Sequence, residues 1–478
     1  MARRLFGTDG IRGTAGAFPL DPPTVRRIGA ALVRALQTGL DPIFSPEARE
    51  PSEKKGSDPI FPRLLIGRDT RESGEWLERE LAQGARAVGA SITSIGVAPT
   101  PSVAYLTSAV KFDAGIVISA SHNPYEDNGI KVFSGKGEKY SGPFEEQIED
   151  LVFDSSFFSA RGAPPPLATG RVESGQAASV ERTDILTRYL EHARTVFPNA
   201  GRLRSLRIAV DCANGAMTVA APPLLGEVGF GITLLAAQPD GRNINLRCGS
   251  THPEALAGAV RSQGLDLGVA FDGDGDRAIF VDSRGRVVDG DAVMLMCAKQ
   301  LKAEGRLRGN AIVATVMSNI GLEVALRGAG IELIRCAVGD KYVMEEILRR
   351  NLSLGGEQSG HVIFADHLFT GDGLITTLKV LRTIAETGRD LGDLADDLQR
   401  YPQVLLNVRV REKVDLGEIP AVAEVIRKVE QRLGDNGRLL VRYSGTEPLL
   451  RVMLEGQDRS QIEAWGREIA EEVEKRLG

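Results

Sequence analysis

The sequence has no CxxC pair, no apolar run long enough to cross a bilayer and no excess of basic charge. Its four cysteines, Cys212, Cys248, Cys297 and Cys336, are widely spaced, which gives no zinc-ligand pattern and reads as buried thiols in a reducing compartment. The start, Met1-Ala2-Arg3-Arg4-Leu5, turns polar by Gly7-Thr8-Asp9, so no secretory pattern and no membrane partner are expected, and the location is expected to be cytoplasmic. With 58 Lys and Arg against 64 Asp and Glu, the net charge of −6 gives no reason to expect nucleic acid. A small anionic substrate stays open, because local basic clusters can oppose the global sign. Walker A, GxGxxG and GxSxG patterns are also missing, which removes support for nucleoside triphosphates and dinucleotides.

What is present is enough apolar material, 42% of 478 residues, for about three or four domains. Three stretches repeat one rhythm of apolar run, loop, amphipathic helix and apolar run. The first includes Leu64–Gly67, a helical pattern from Gly74 to Val88, Ser91–Ile95 and Gly115–Ile118. The second has Leu206–Asp211, a helix after Asn214, Ile232–Ala236 and Leu267–Phe271. The third has Ala311–Val316, a helix after Asn319, Ile331–Arg335 and a helix after Gly339. Such alternation predicts three similar α/β domains with mixed, largely parallel sheets, followed by a smaller C-terminal α+β domain. The expected bounds are 1–165, 180–285, 286–400 and 401–478. A polar insertion at 41–63 and a Pro-rich connector at 163–178 interrupt the pattern.

Four polar segments carry candidate chemistry. Ser119-Ala120-Ser121-His122-Asn123-Pro124 succeeds an apolar strand, where open α/β sheets carry their catalytic groups. Ser121 is a candidate nucleophile, and the same residues also read as a Ser/Asn-capped turn. Asp272-Gly273-Asp274-Gly275-Asp276-Arg277 places three carboxylates at alternate positions, able to converge on a hard cation. An EF-hand loop is excluded, since Arg277 and Ser283 occupy its sixth and twelfth positions. The alternative is a solvated acidic turn, which like-charge repulsion disfavours without a cation. Gly355–His361 offers Glu357, Gln358, Ser359 and His361 to sugar hydroxyls, or is a polar turn. Arg442-Tyr443-Ser444-Gly445-Thr446-Glu447-Pro448, with Arg451 behind it, reads as a phosphate cradle or as a charged hairpin turn. A fifth segment, Phe6–Gly13, is glycine-rich and carries Arg12.

Together these segments resemble the α-D-phosphohexomutase superfamily, and within it the bacterial phosphoglucosamine mutases. The superfamily's serine loop, D-G-D-G-D-R metal loop, G-E-x-S-G-H sugar loop and R-x-S-G-T-E-P phosphate loop all occur here in order. The closer likeness rests on Gly7–Gly13, Asp127–Lys131, Gln358 and Arg451–Gly456. The resemblance implies an intramolecular phosphotransferase that interconverts glucosamine 6-phosphate and glucosamine 1-phosphate through phosphorylated Ser121 and a 1,6-bisphosphate, on the route to UDP-N-acetylglucosamine. It implies Mg²⁺ held by Ser121, Asp272, Asp274 and Asp276. Glu357 and Ser359 would bind ring hydroxyls, and Arg442, Ser444, Gly445, Thr446 and Arg451 the phosphate not in transfer. Arg12, Lys131 and His361 are the implied candidates for general base. Related enzymes are commonly homodimers, and the partner expected is a hexosamine phosphate. A phosphomannomutase/phosphoglucomutase is the alternative within the superfamily; a metal-dependent serine phosphatase and a sugar-phosphate sensor are the alternatives outside it.

Overall fold

Apolar runs without polar alternation are the pattern of strands covered on both faces, and several such runs organise the chain. The computed structural model describes residues 5–7, 9–38, 61–140, 142–154, 182–203, 205–444 and 448–478. Most of the 41–63 insertion, the 163–178 connector, Gly445 and Thr446 lie outside the described residues. The chain divides into two compact units, Met1–Val316 with Arg335–Ala395, and Met317–Ile334 with Asp396–Gly478.

Among the described residues, the first unit begins with a six-stranded sheet. Its strands are β1 (Phe6–Gly7), β2 (Gly10–Thr14), β3 (Arg63–Arg68), β4 (Ser91–Val97), β5 (Ala114–Ile118) and β6 (Asp127–Ser134), in the order β1-β2-β6-β5-β3-β4. Strands β3, β4 and β5 are parallel, and β6 returns antiparallel to β5 with Lys131 opposite Val117. Helices α1 (Pro22–Thr38), α2 (Gly74–Ala87), α3 (Thr100–Ala109) and α4 (Gly142–Phe153) accompany it. Helices α1 and α2 touch backbone to backbone: a Cβ at Gly84 would strike the Arg26 carbonyl, and one at Gly29 the Leu81 carbonyl.

A second sheet has β7 (Arg207–Asp211), β8 (Gly231–Leu235), β9 (Leu267–Phe271), β10 (Ala278–Asp282) and β11 (Val287–Val288), ordered β11-β10-β9-β7-β8. Helices α5 (Arg182–Arg194), α6 (Ala221–Val228) and α7 (Glu254–Gln263) belong to this stretch. A third contains β12 (Ala311–Thr315), β13 (Leu354–Gly356) and β14 (Val362–Phe364), with α8 (Gly290–Ala303), α9 (Asp340–Arg350) and α10 (Gly373–Thr387). The strand expected at Ile331–Arg335 is found at Glu332–Cys336. Asp372 caps α10 by accepting the Leu374 and Ile375 N–H groups, satisfying two of the orphan donors at a helix start.

In each sheet the last long strand turns back antiparallel: β6 on β5, β10 on β9, β14 on β13. The segment Phe6–Gly13 supplies the two outermost strands on one side of the first sheet, with β2 pairing both β1 and β6.

The second unit builds an antiparallel sheet from β15 (Gln403–Arg409), β16 (Arg438–Tyr443) and β17 (Leu449–Glu455), with β17 central. Helices α11 (Pro420–Leu433) and α12 (Arg459–Leu477) cover it through Val429, Ile462, Ile469 and Val473.

Candidate active site

The three antiparallel returns put three polar turns at strand ends. Ser119–Pro124 lies between β5 and β6, Asp272–Arg277 between β9 and β10, and Glu357–His361 between β13 and β14. An isolated antiparallel bridge ties Arg277 to His361. Thr100, the first residue of α3, donates its N–H to the Asp274 carbonyl and its hydroxyl to Asp274 Oδ2 at 2.6 Å. The first unit thus gathers all three loops into one site.

Ser121 is buried, and its hydroxyl donates to Asp272 Oδ2 at 2.5 Å. Asp272, Asp274 and Asp276 are buried, and each offers an oxygen within 4.8 Å of the others. Burial holds the Asp272 carboxyl well above the usual range, and the neighbouring Asp276 and Asp274 add to it. Burial acts the same way on Asp276, but the Lys131 ammonium, His361 and Arg277 together outweigh it and keep that group well below the range. Asp274 Oδ1 and Asp276 Oδ1 are buried without a hydrogen-bond partner. Such orphaned carboxylate oxygens are costly in a protein interior unless a cation meets them. An all-oxygen donor set with open positions suits a hard divalent cation, so these residues fit a metal cofactor.

Lys131, on β6, reaches Asp274 at 2.8 Å, Asp276 at 3.0 Å and Asp9 at 3.1 Å. Burial alone would lower its pKa, but the three carboxylates prevail and raise it well above the ordinary lysine value. Arg12 pairs with Asp9 and donates to Asn123 Oδ1 at 3.1 Å. His361 Nε2 accepts the Gly371 N–H at 2.9 Å, leaving Nδ1 3.6 Å from Asp276 Oδ1. Glu357 accepts the Gly339 N–H at 3.2 Å and the Ser359 hydroxyl at 3.3 Å. A cavity of about 400 Å³ is lined by Arg12, His122, Asp276, Arg277, Glu357 and His361, among others. Arg12 and His361 line this cavity, and Lys131 meets it through its pairs with Asp9 and Asp276, so each candidate is engaged with a neighbour.

Sequence reasoning passed over Asp9, Lys139 and Asp340. Lys139 bridges the two acids, donating to Asp9 Oδ1 at 2.5 Å and pairing with Asp340. No spacing links residues 130 and 201 positions apart, whereas Asp9 sat inside a segment already singled out. In the second unit, Arg442 and Arg451 are directly opposite on β16 and β17. Ser444, buried at the end of β16, has its carbonyl held by Lys413 Nζ at 2.6 Å.

Comparison with known proteins identifies the domains of the chain. Residues 56–158, 187–285 and 289–401 match alpha/beta/alpha domains I, II and III of phosphoglucomutase/phosphomannomutase, and 405–472 match its C-terminal domain. The chain is 45% identical over 476 residues to a phosphoglucosamine mutase of Geobacter metallireducens, covering 100% of this chain and 99% of the other. It is 47% identical over 478 residues to one from Solibacter usitatus, covering 100% of both. Among solved structures, a phosphoglucomutase/phosphomannomutase family protein from Burkholderia thailandensis superposes with a TM-score of 0.75 at 23% identity, covering 98% of this chain and 97% of that one. Aspergillus fumigatus N-acetylphosphoglucosamine mutase, in complex with GlcNAc-6P and magnesium, superposes with a TM-score of 0.64 at 16% identity, covering 99% and 96%.

Proposed function

Because the chain belongs to the phosphoglucomutase/phosphomannomutase family, we propose that it interconverts glucosamine 6-phosphate and glucosamine 1-phosphate through a phosphoserine at Ser121. The observation that carries this reading is the Ser121 hydroxyl 2.5 Å from Asp272, in a trio with orphaned buried oxygens. A stored phosphoryl group needs its negative charge met at the moment of transfer, and this cluster is built to hold the cation that does so.

In the forward half-reaction the bond between phosphorus and Ser121 Oγ breaks and a bond from phosphorus to O1 of the 6-phosphosugar forms. Ser121 is left as a hydroxyl after taking up a proton, and the hydroxyl proton of O1 passes to His361, because the carboxylates around Lys131 and Arg12 keep both of those candidates charged. Phosphoryl transfer has a loose transition state, so positioning and charge neutralisation carry most of the catalysis. The 1,6-bisphosphate then turns over, and the phosphoryl on O6 returns to Ser121. Ser121, Asp272, Asp274 and Asp276 would hold Mg²⁺, which supplies positive charge against the transferring phosphoryl oxygens. Glu357 and Ser359 orient the ring hydroxyls. Arg442, Ser444, Gly445, Thr446 and Arg451 grip the phosphate not in transfer. The proposed setting is the cytoplasm, with two copies of the chain per molecule; among the described residues no helix is long and apolar enough to cross a membrane.

The test is a panel of glucosamine, glucose and mannose 6-phosphates with product analysis and intact-mass detection of one phosphate on the chain. Glucosamine 6-phosphate is expected to turn over fastest, with phosphate conserved. Ser121→Ala is expected to abolish turnover while leaving sugar-phosphate binding largely intact. Inorganic phosphate as the main product, or full activity of Ser121→Ala, would overturn the proposal.

A further inference from the structure

Ser121 has φ of +53°, in the left-handed region that a serine rarely adopts. Such a residue stays there only when its surroundings hold it. Its carbonyl receives two side-chain donors, Arg71 Nη2 at 2.9 Å and Asn245 Nδ2 at 2.8 Å. Both side chains also donate to the Asn123 carbonyl, at 2.8 and 3.1 Å. Arg71 Nη1 reaches the Asp127 carbonyl at 2.9 Å and the Pro124 carbonyl as well. One guanidinium therefore spans the loop from Ser121 to Asp127.

The other side of the loop is fixed by Asp69. Its Oδ2 accepts Arg71 Nε at 2.8 Å and the Ser119 hydroxyl at 2.6 Å. Ser119 Oγ in turn accepts the Ser121 N–H at 2.9 Å. The Asp69 and Arg71 side chains are wholly buried. Asn245, which lies between β8 and α7, is itself at φ +58°, with its N–H on the Ala213 carbonyl at 2.9 Å.

We propose that Arg71 and Asn245 are positioning residues for phosphoryl transfer, holding the Ser121 carbonyl from two sides so that the serine stays left-handed and its Oγ meets Asp272. Relaxation to negative φ would redirect the Cα–Cβ bond and carry Oγ away from the carboxylate trio. A guanidinium suits the task because it presents a rigid fork of donors, where a lysine ammonium reaches fewer carbonyls. The inference rests on the phosphoserine reading.

The test uses the full chain with Asn245→Ala, Asn245→Asp and Arg71→Lys. Asn245→Asp keeps the shape but turns acceptors toward two carbonyls. Each variant is expected to lose about 100-fold in kcat, with KM for glucosamine 6-phosphate changed by less than about twofold, the pattern of misplaced reacting groups rather than lost binding. Crystal structures of the Asn245 variants are expected to show Ser121 out of the left-handed region. If Arg71→Lys fails to fold, the two Asn245 variants decide alone. Turnover by both within twofold of the parent, or a rise in KM at unchanged kcat, overturns the inference and leaves the mutase reading standing. A parent chain without mutase activity overturns that reading instead. The clamp is then judged by the variant structures, where positive φ at Ser121 in Asn245→Asp refutes it.

Discussion

Ser121 and Gly273 show how little room the chemistry leaves at a single residue. A Cβ built on Gly273 would lie 2.5 Å from the Ser121 carbonyl, 2.8 Å from Ile244 Cδ1 and 2.9 Å from Asn245 Nδ2. The aspartate loop can thus rest against the serine loop only where a side chain is missing. Gly273→Ala must push the two loops apart, at about 1–3 kcal/mol for overpacking. Since reacting groups displaced by an ångström lose much of their advantage, kcat is expected to fall about 100-fold or more. Thermal unfolding and steady-state kinetics on the same preparation check both numbers; a variant as active as the parent contradicts the packing argument. The orphaned oxygens of Asp274 and Asp276 lead to a second expectation. Millimolar Mg²⁺ should raise the thermal midpoint of the parent by mass action on the folded state, and EDTA should reverse it. Asp274→Asn should abolish that shift, and a shift of unchanged size would place the ion elsewhere.

At the scale of elements, α10 carries a charge its surroundings do not favour. Lys379 is buried on this helix, with Nζ 5.4 Å from the Phe364 ring centre on β14. Burial, then Arg306, pushes its pKa down from 10.5 to about 8; Arg382 adds to this, while Cys297 and Glu304 act the other way. At neutral pH the folded chain therefore carries an ammonium it would rather discharge. The depressed pKa means that the folded state binds fewer protons than the unfolded one between pH 8 and 10.5. Stability from this group accordingly rises with pH across that window and is lowest below it. Lys379→Met removes the buried charge at similar volume, and should stabilise the protein by about 1–3 kcal/mol at pH 7. Denaturant unfolding at pH 7 and pH 10.5 tests this: the advantage should shrink at the higher pH. A variant less stable than the parent at pH 7 would show that the ammonium is worth more than its desolvation costs.

Across the whole molecule, the parts legible in the sequence are those whose signal is local. The runs at Leu64–Gly67, Gly115–Ile118 and Leu267–Phe271 read as buried parallel strands because covered strands need no polar alternation. The aspartate trio was legible because three like charges at alternate positions have few uses without a cation. The direction of β6, β10 and β14 was hidden, because the turns that reverse the chain are the functional loops themselves and read as chemistry before they read as hairpins. The Asp9–Lys139–Asp340 chain was hidden because only the fold brings those positions together. The segment proposed to hold a phosphate was singled out as a motif, but the register of the strands beside it was not legible. Antiparallel pairing sets Arg442 directly opposite Arg451. Like charges so placed weaken a sheet, and the dianionic phosphate proposed above would resolve the conflict. Arg451→Ala tests the proposed grip on that phosphate. It should increase KM for glucosamine 6-phosphate about tenfold or more, because a charged hydrogen bond to the substrate is lost. Phosphorylation of Ser121, read by intact mass on the isolated chain, should persist in the variant, since the storing residues belong to the other unit. A variant with unchanged KM would mean that the opposed arginines serve the sheet and not the substrate.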